Sequence, residues 1–176
     1  SFYLPDYYGV NPSNGEALWV TEDGSLTNDY NKARKYYAGS PEPKFVGGFN
    51  TAFTWKGLSL SAFFEYKIGN KILPMNESRY LMADGALMSN SNDFEIDRWV
   101  QDGSYLRLKD VTVSYALSQA AVKKIRVKGL RFYVSGLNLY TFSDVTAYDP
   151  EAGATGVVAA IYPFAKTVVG GIELTF

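Results

Sequence analysis

Along residues 45–55, aromatic residues stand at every second position save Gly47 and Thr51. Phe45, Gly47, Phe49, Thr51, Phe53 and Trp55 share one side of an extended strand, and Val46, Gly48, Asn50, Ala52 and Thr54 share the other, because successive strand side chains point to opposite faces. Lys56-Gly57 predicts a tight turn. Residues 58–68 then set Leu58, Leu60, Ala62, Phe64, Tyr66 and Ile68 against Ser59, Ser61, Phe63, Glu65 and Lys67. The two runs predict a hairpin with one apolar and one polar face. Residues 167–176 repeat the pattern, with Val168, Gly170, Ile172, Leu174 and Phe176 opposed to Thr167, Val169, Gly171, Glu173 and Thr175. About 9–11 tilted residues of this kind cross a bilayer.

Two further strands are predicted at 105–117 and 130–142. Val111, Val113, Tyr115 and Leu117 alternate with Thr112, Ser114 and Ala116, but Arg107 and Lys109 fall on the phase that becomes apolar. Either a bulge resets the register or that end projects into water. The second is expected, since Lys at mid-bilayer on a lipid face costs a few kcal/mol. Leu130, Phe132 and Val134 oppose Arg131, Tyr133 and Ser135, whereas beyond Gly136 the run Leu137, Leu139, Tyr140 and Phe142 leaves the faces open.

The connections alternate in length: long at 69–104 and 143–166, short at 56–57 and 118–128. Outer-membrane barrels have this parity, with short periplasmic turns and long extracellular loops. Residues 1–43 are expected to form an extracellular hairpin or loop region, and 44–176 the barrel strands. Short helical turns are expected near 78–82, 94–100 and within 118–128. Five strands, or six or seven with a hairpin from 1–40, cannot close a barrel, for which about eight is the usual minimum. The expectation is therefore an all-β piece of a larger barrel. A soluble half-buried sheet is the competing reading.

Composition narrows the chemistry. Fourteen Tyr, eleven Phe, three Trp and sixteen Gly favour strands and turns,. No apolar run approaches the roughly 18 residues of a transmembrane helix. A net charge of −1 without a basic run argues against nucleic acid,. With no Cys and no His, disulfides, thiol catalysis, Ser-His-Asp mechanisms and the common zinc sites are excluded. The absence of a signal peptide ahead of Ser1 is read as marking a mature, processed or partial chain.

With these residues laid out, the chain resembles the C-terminal part of the SusC/RagA family of TonB-dependent outer-membrane transporters from Bacteroidota. The resemblance rests on residues 8–15 (YGVNPSNG), 39–49 (GSPEPKFVGGF), 55–60 (WKGLSL), 66–71 (YKIGNK), Arg98-Trp99, 102–111 (DGSYLRLKDV), 134–142 (VSGLNLYTF), 148–151 (YDPE), Tyr162-Pro163 and the run ending at Phe176. It implies C-terminal strands of a large antiparallel transmembrane β-barrel of about 22 strands with long extracellular loops, filled by a plug. It further implies import of glycans or peptides across the outer membrane, a SusD-like surface lipoprotein as lid, and TonB acting through a plug region absent from this chain. The remaining barrel and plug and the outer-membrane lipid are then further partners.

Candidate functional residues follow. Tyr36, Tyr37, Tyr80, Trp99, Tyr148 and Tyr162 are loop aromatics suited to stacking on a sugar, touching a peptide or meeting the lid, against the plainer role of loop packing. Phe176 resembles the terminal aromatic recognised during barrel assembly, and serves equally as an interfacial anchor. Asn90, Asn92, Asp93, Glu95 and Asp97 cluster oxygens without the Gly and closing Glu of a calcium loop, so a solvated acidic face is expected. Glu65 and Glu173 are expected to face the lumen, with Arg131 as a partner. No catalytic residue, metal or cofactor is expected. A soluble β-rich carbohydrate-binding or adhesion module stays open as the alternative, and a carboxylate glycoside hydrolase stands behind it.

Overall fold

The structure is a computed structural model that describes residues 1–74, 97–145, 149–151, 153–158 and 164–176. Its strands, in chain order, are β1 (Phe2–Pro5), β2 (Tyr7–Val10), β3 (Ala17–Val20), β4 (Leu26–Thr27), β5 (Lys35–Gly39), β6 (Phe45–Trp55) and β7 (Leu58–Ile68). They continue with β8 (Lys71–Pro74), β9 (Gln101–Asp102), β10 (Tyr105–Ala116), β11 (Gly129–Ser143), β12 (Val157–Val158) and β13 (Thr167–Thr175). Two compact units result. One holds 1–44, 68–104 and 143–163, and the other 45–67, 105–142 and 164–176. The first unit thus groups 68–104 and 143–163 with the N-terminal residues 1–44.

The second unit is one sheet in the order β13-β11-β10-β7-β6. Its strand ends lie within one residue of those the alternation predicts. Between β6 and β7, Lys56 and Gly57 both take positive φ, at 46° and 88°, which is the backbone of a two-residue type I′ hairpin turn. Phe49 and Phe64 stack at 4.9 Å across this hairpin. The 118–128 connection carries the expected helical turn at Gln119–Lys124, anchored by buried Val122. No strand of residues 1–40 joins this sheet: β1 pairs with β5, and β2, β3 and β4 form a separate meander.

The pairing of β10 with β7 corrects the reading of Arg107 and Lys109. Tyr105, Arg107 and Leu108 register with Lys67, Glu65 and Phe64, the register shifts between Leu108 and Asp110, and pairing resumes with Asp110 opposite Phe63. Lys109 is the extra residue of a bulge, so an odd-numbered polar phase becomes an even-numbered one. Arg107 faces the same side as Glu65, and Lys109 reaches that carboxylate at 3.2 Å. The end of β10 therefore keeps its charges on the polar face instead of escaping the sheet. The broken alternation in β11 coincides with Asn138, which adopts φ 52°. Asn tolerates this left-handed conformation better than most residues. Leu139 lies where a side chain on Gly136 would sit.

The first unit has a small core of Phe2, Leu4, Ala17, Trp19, Leu73 and Trp99. Trp19 is fully buried between the edges of Tyr7 at 5.3 Å and Tyr30 at 5.2 Å. Arg34 closes over this core by donating to Asp6 at 2.7 Å, while its backbone N–H bonds Val20 at 2.8 Å. Strand β8 is flanked by β9 antiparallel and β12 parallel, bringing 97–104 and 153–158 together. A 3-10 turn at Asp97–Trp99 occupies the latter part of the helical stretch expected at 94–100. Residues 78–82 lie outside the described residues.

Deleting Lys109 removes the bulge while leaving Leu108 opposite Phe64 and Asp110 opposite Phe63, so Tyr105 and Arg107 keep the polar face and the Lys109–Glu65 ion pair is lost. The expected outcome is a cost of about 1 kcal/mol or less, close to that of Lys109→Ala, whereas Leu108→Lys, which puts a cation on the apolar face, costs about 2–4 kcal/mol, all read by denaturant unfolding in detergent.

Candidate functional site

The sheet of the second unit presents two chemically distinct faces, and pairing fixes which residue lies on which. On the apolar face, Leu130, Phe132, Val134 and Gly136 register with Leu174, Ile172, Gly170 and Val168. Leu58, Leu60, Ala62, Phe64 and Tyr66 register with Tyr115, Val113, Val111, Leu108 and Leu106. This face is uncovered: Trp55, Phe53 and Ile172 expose 58 %, 59 % and 63 % of their surface. A contiguous apolar area running over five strands exceeds what water-facing monomers carry.

The opposite face is a web of polar contacts. The Thr112 and Ser135 hydroxyls meet at 2.6 Å. Arg131 donates to Glu173 at 3.4 Å, so the expected wall pair forms. Glu65 accepts from the Tyr105 hydroxyl at 2.9 Å and from Lys109 at 3.2 Å. Arg107, 1 % exposed, donates through Nε to Thr141 at 3.0 Å and lies 5.2 Å from the ring centres of both Tyr105 and Phe164. A guanidinium withdrawn from water needs such donors' partners and π faces. Tyr133 lies over Gly171, where any added side chain would collide with its ring, which places an aromatic ring over the bare backbone. The Arg107–Phe164 arrangement was not legible in the sequence, because it joins positions 57 residues apart.

The antiparallel order brings every long-connection junction of this unit to one end of the sheet: residues 45, 67, 105, 142 and 164. The two short connections leave from the other end.

The nominated loop aromatics have different environments. Tyr36 donates its hydroxyl to Asp97 at 2.8 Å. Tyr37 is exposed and meets Tyr3 edge-on at 6.3 Å. Trp99 is buried in the small core, where its surface is taken up by packing. Tyr80, Tyr148 and Tyr162 lie outside the described residues, as do Asn90, Asn92, Asp93 and Glu95. Asp97 accepts from the Tyr7 backbone N–H at 3.2 Å as well as from Tyr36, so its oxygens serve protein donors. Phe176 follows the end of β13 and is 80 % exposed. Tyr3, with Tyr37 the other half of the exposed pair, was missed because β1 is only four residues long and gives no periodic signal.

No family model matches the chain. Its relatives include TonB-dependent receptor P3 of Formosa agariphila, 28 % identical over 92 % of this chain and 19 % of that protein. TonB-dependent receptor P26 of the same organism is 25 % identical over 93 % of this chain and 19 % of that protein. The chain thus spans about a fifth of the length of these curated relatives. Among solved structures, the RagAB peptide importer in its open-open state matches all of this chain with 22 % of its own at TM-score 0.81 and 28 % identity. The RagAB peptide transporter matches at TM-score 0.82 and 27 % identity, again over all of this chain and 22 % of that one.

In the first unit the surroundings of Asp102 and Tyr36 shift their ionisation. Hydrogen bonds from Ser104, reinforced by Lys71, hold the Asp102 carboxyl below its ordinary range against the opposing effect of burial. Its contribution to stability is therefore present above the usual carboxylate range and is lost as pH falls through its lowered value. Burial, with the Asp97 hydrogen bond and charge, pushes Tyr36 up to about 12. The folded state thus holds this proton more tightly, and the corresponding stability is complete below the usual tyrosine range and lost as pH rises through about 12,. In a difference absorbance titration of wild type against Tyr36→Phe, the phenolate signal should emerge near pH 12. Asp97→Asn should move it back toward about 10.

Proposed function

We propose that this chain, a SusC/RagA-like segment of a TonB-dependent transporter by sequence and fold, forms part of the wall and outer loops of an outer-membrane barrel that imports glycans or peptides. The observation that carries the reading is the division of faces in the second unit. A sheet with hydrocarbon-compatible side chains on one side and a hydrogen-bonded polar web on the other is suited to separate lipid from an aqueous lumen. Its outer strands β6 and β13 each have one neighbour within the sheet. In hydrocarbon an open edge leaves backbone groups unsatisfied, so both edges call for further strands, consistent with a complete barrel of about 22.

The names of the relatives support transport in place of catalysis, and the RagAB importer supports an oligomeric cargo, with peptide the chemistry named for that protein. By the same likeness, a SusD-like surface lipoprotein covers the mouth, and TonB acts through a plug that this chain does not include. Residues 1–43 and the long connections then lie on the extracellular side, where Tyr36 and Tyr37, with Tyr3 added, are the described aromatics placed to meet cargo or lid. Phe176 serves as the assembly signal or interfacial anchor. The soluble carbohydrate-binding alternative is disfavoured by the breadth of exposed apolar surface, which water would not tolerate in a monomer.

Paired substitutions test the division of faces in the full-length protein. Ile172→Lys, on the apolar face, should cost about 2–4 kcal/mol or block assembly, while Val169→Lys, its neighbour on the polar face, should cost under about 1 kcal/mol. Denaturant unfolding in detergent and the heat-sensitive gel migration of a closed barrel read the difference. Equal costs at both positions, or a full-length protein that stays in aqueous buffer without detergent, would remove the membrane assignment.

A further inference from the structure

The end of the sheet opposite the long connections is strongly basic, and nothing in the transport reading uses that charge. The connection between β10 and β11 contains Lys123, Lys124, Arg126 and Lys128 and has no acidic residue from 117 to 128. All four cations are exposed, and beside them Ile125 exposes 52 % of its surface. Val122, at 1 % exposure, pins the short helix to the sheet, and Arg126 takes φ 59°, which closes the turn behind it. The connection is therefore a fixed platform and not a loose tail. Its backbone is tied in from both sides, Leu117 donating to Leu130 at 2.9 Å and Lys128 to Thr175 at 2.7 Å.

The neighbouring hairpin turn adds a fifth cation. Lys56 lies 5.0 Å from the ring centre of Trp55, and Ala116 donates to Gly57 at 2.8 Å, which brings the two short connections together. None of the ion pairs among the described residues involves these five cations. Trp55 and Leu58, at the turn, and Tyr115, Leu130 and Leu174 belong to the last rungs of the apolar face. The charged platform is thus continuous with the surface assigned to hydrocarbon, and a Trp and an exposed Ile stand at the boundary.

We propose that this end of the wall, formed by Lys56, Lys123, Lys124, Arg126 and Lys128, binds the phosphate headgroups of anionic phospholipids in the leaflet it meets. The inference rests on the membrane-wall reading. Where a β-wall leaves hydrocarbon, its next layer is the headgroup region, and a cluster of Lys and Arg beside a membrane surface attracts anionic lipid. The aliphatic stems of these residues follow the apolar boundary while their heads reach the phosphates, and Ile125 and Trp55 sit at the depth where such side chains anchor. A soluble acidic protein is the competing occupant. It would need the cations but would have no use for their alignment with the edge of the apolar band.

The test uses the full-length transporter reconstituted in phosphatidylcholine bilayers with trace spin-labelled phosphatidylglycerol or spin-labelled phosphatidylcholine. Electron paramagnetic resonance reads the motionally restricted fraction of each lipid at the protein surface. Wild type should prefer phosphatidylglycerol by about threefold or more at low ionic strength, with the preference shrinking in salt. Neutralising the platform (K56Q, K123Q, K124Q, R126Q and K128Q together) should bring the preference close to one. A control that removes two cations from the first unit, K32Q with K35Q, should leave it in place. Unchanged heat-sensitive migration in the five-fold variant shows that the barrel is intact. An undiminished preference in that variant, or no preference in wild type, overturns the lipid site. A protein that restricts neither lipid fails the membrane-wall reading itself, so the two failures are distinguishable.

Discussion

Everything in the second unit depends on one constraint, that a backbone crossing hydrocarbon has no water to bond with. Each strand must take its hydrogen bonds from its neighbours, and each side chain must commit to one face. Pairing and parity then cease to be independent. A slip of one residue in any strand would carry a whole set of polar side chains into lipid, so the register is held by the same alternation that gives the wall its two surfaces. The unbroken pairing of β11 with β13 over Gly129–Leu137 and Thr167–Thr175 follows from this constraint.

The same constraint explains why the one departure in β10 takes the form it does. Asp102 to Val111 carries more charge than a strict two-residue period can place on one side. An extra residue at Lys109 absorbs the mismatch at the cost of a local break in the ladder. The break lies beside Glu65, whose carboxylate collects Lys109 and the Tyr105 hydroxyl, so the bulge is held by an ion pair on the polar face. Arg107 becomes the best-buried cation of the wall as a result, with Thr141 and two aromatic rings taking the place of water. The expected projection of this strand end into water does not occur, because the bulge separates charge from the apolar face without leaving the sheet,.

The first unit obeys a different rule. Its strands are short, and its stability comes from a compact aromatic core around Trp19 instead of from long ladders. That is why loop aromatics chosen for exposure divide as they do. Trp99 goes to the core, Tyr36 is tied to Asp97, and Tyr37 remains at the surface beside Tyr3. Large aromatic side chains lower the free energy of a small domain most when buried, so a sequence rich in them cannot say which will be spent on packing.

The sequence by itself determined the five long strands, their faces wherever alternation was unbroken, the tight turn at Lys56-Gly57 and the difference between long and short connections. These are local properties, written in a period of two and in turn chemistry that neighbouring residues carry. Tertiary structure decided what depends on residues far apart in the chain: that Lys109 is a bulge, that Asn138 takes the left-handed conformation where alternation fails, that 68–104 and 143–163 fold with residues 1–44, and that Phe164 meets Arg107. It also decided that the basic residues of 118–128 stand with Lys56 at one end of the wall. In the sequence they are two unremarkable turns some sixty residues apart, and only antiparallel pairing, which returns every second connection to the same edge, makes them a single surface.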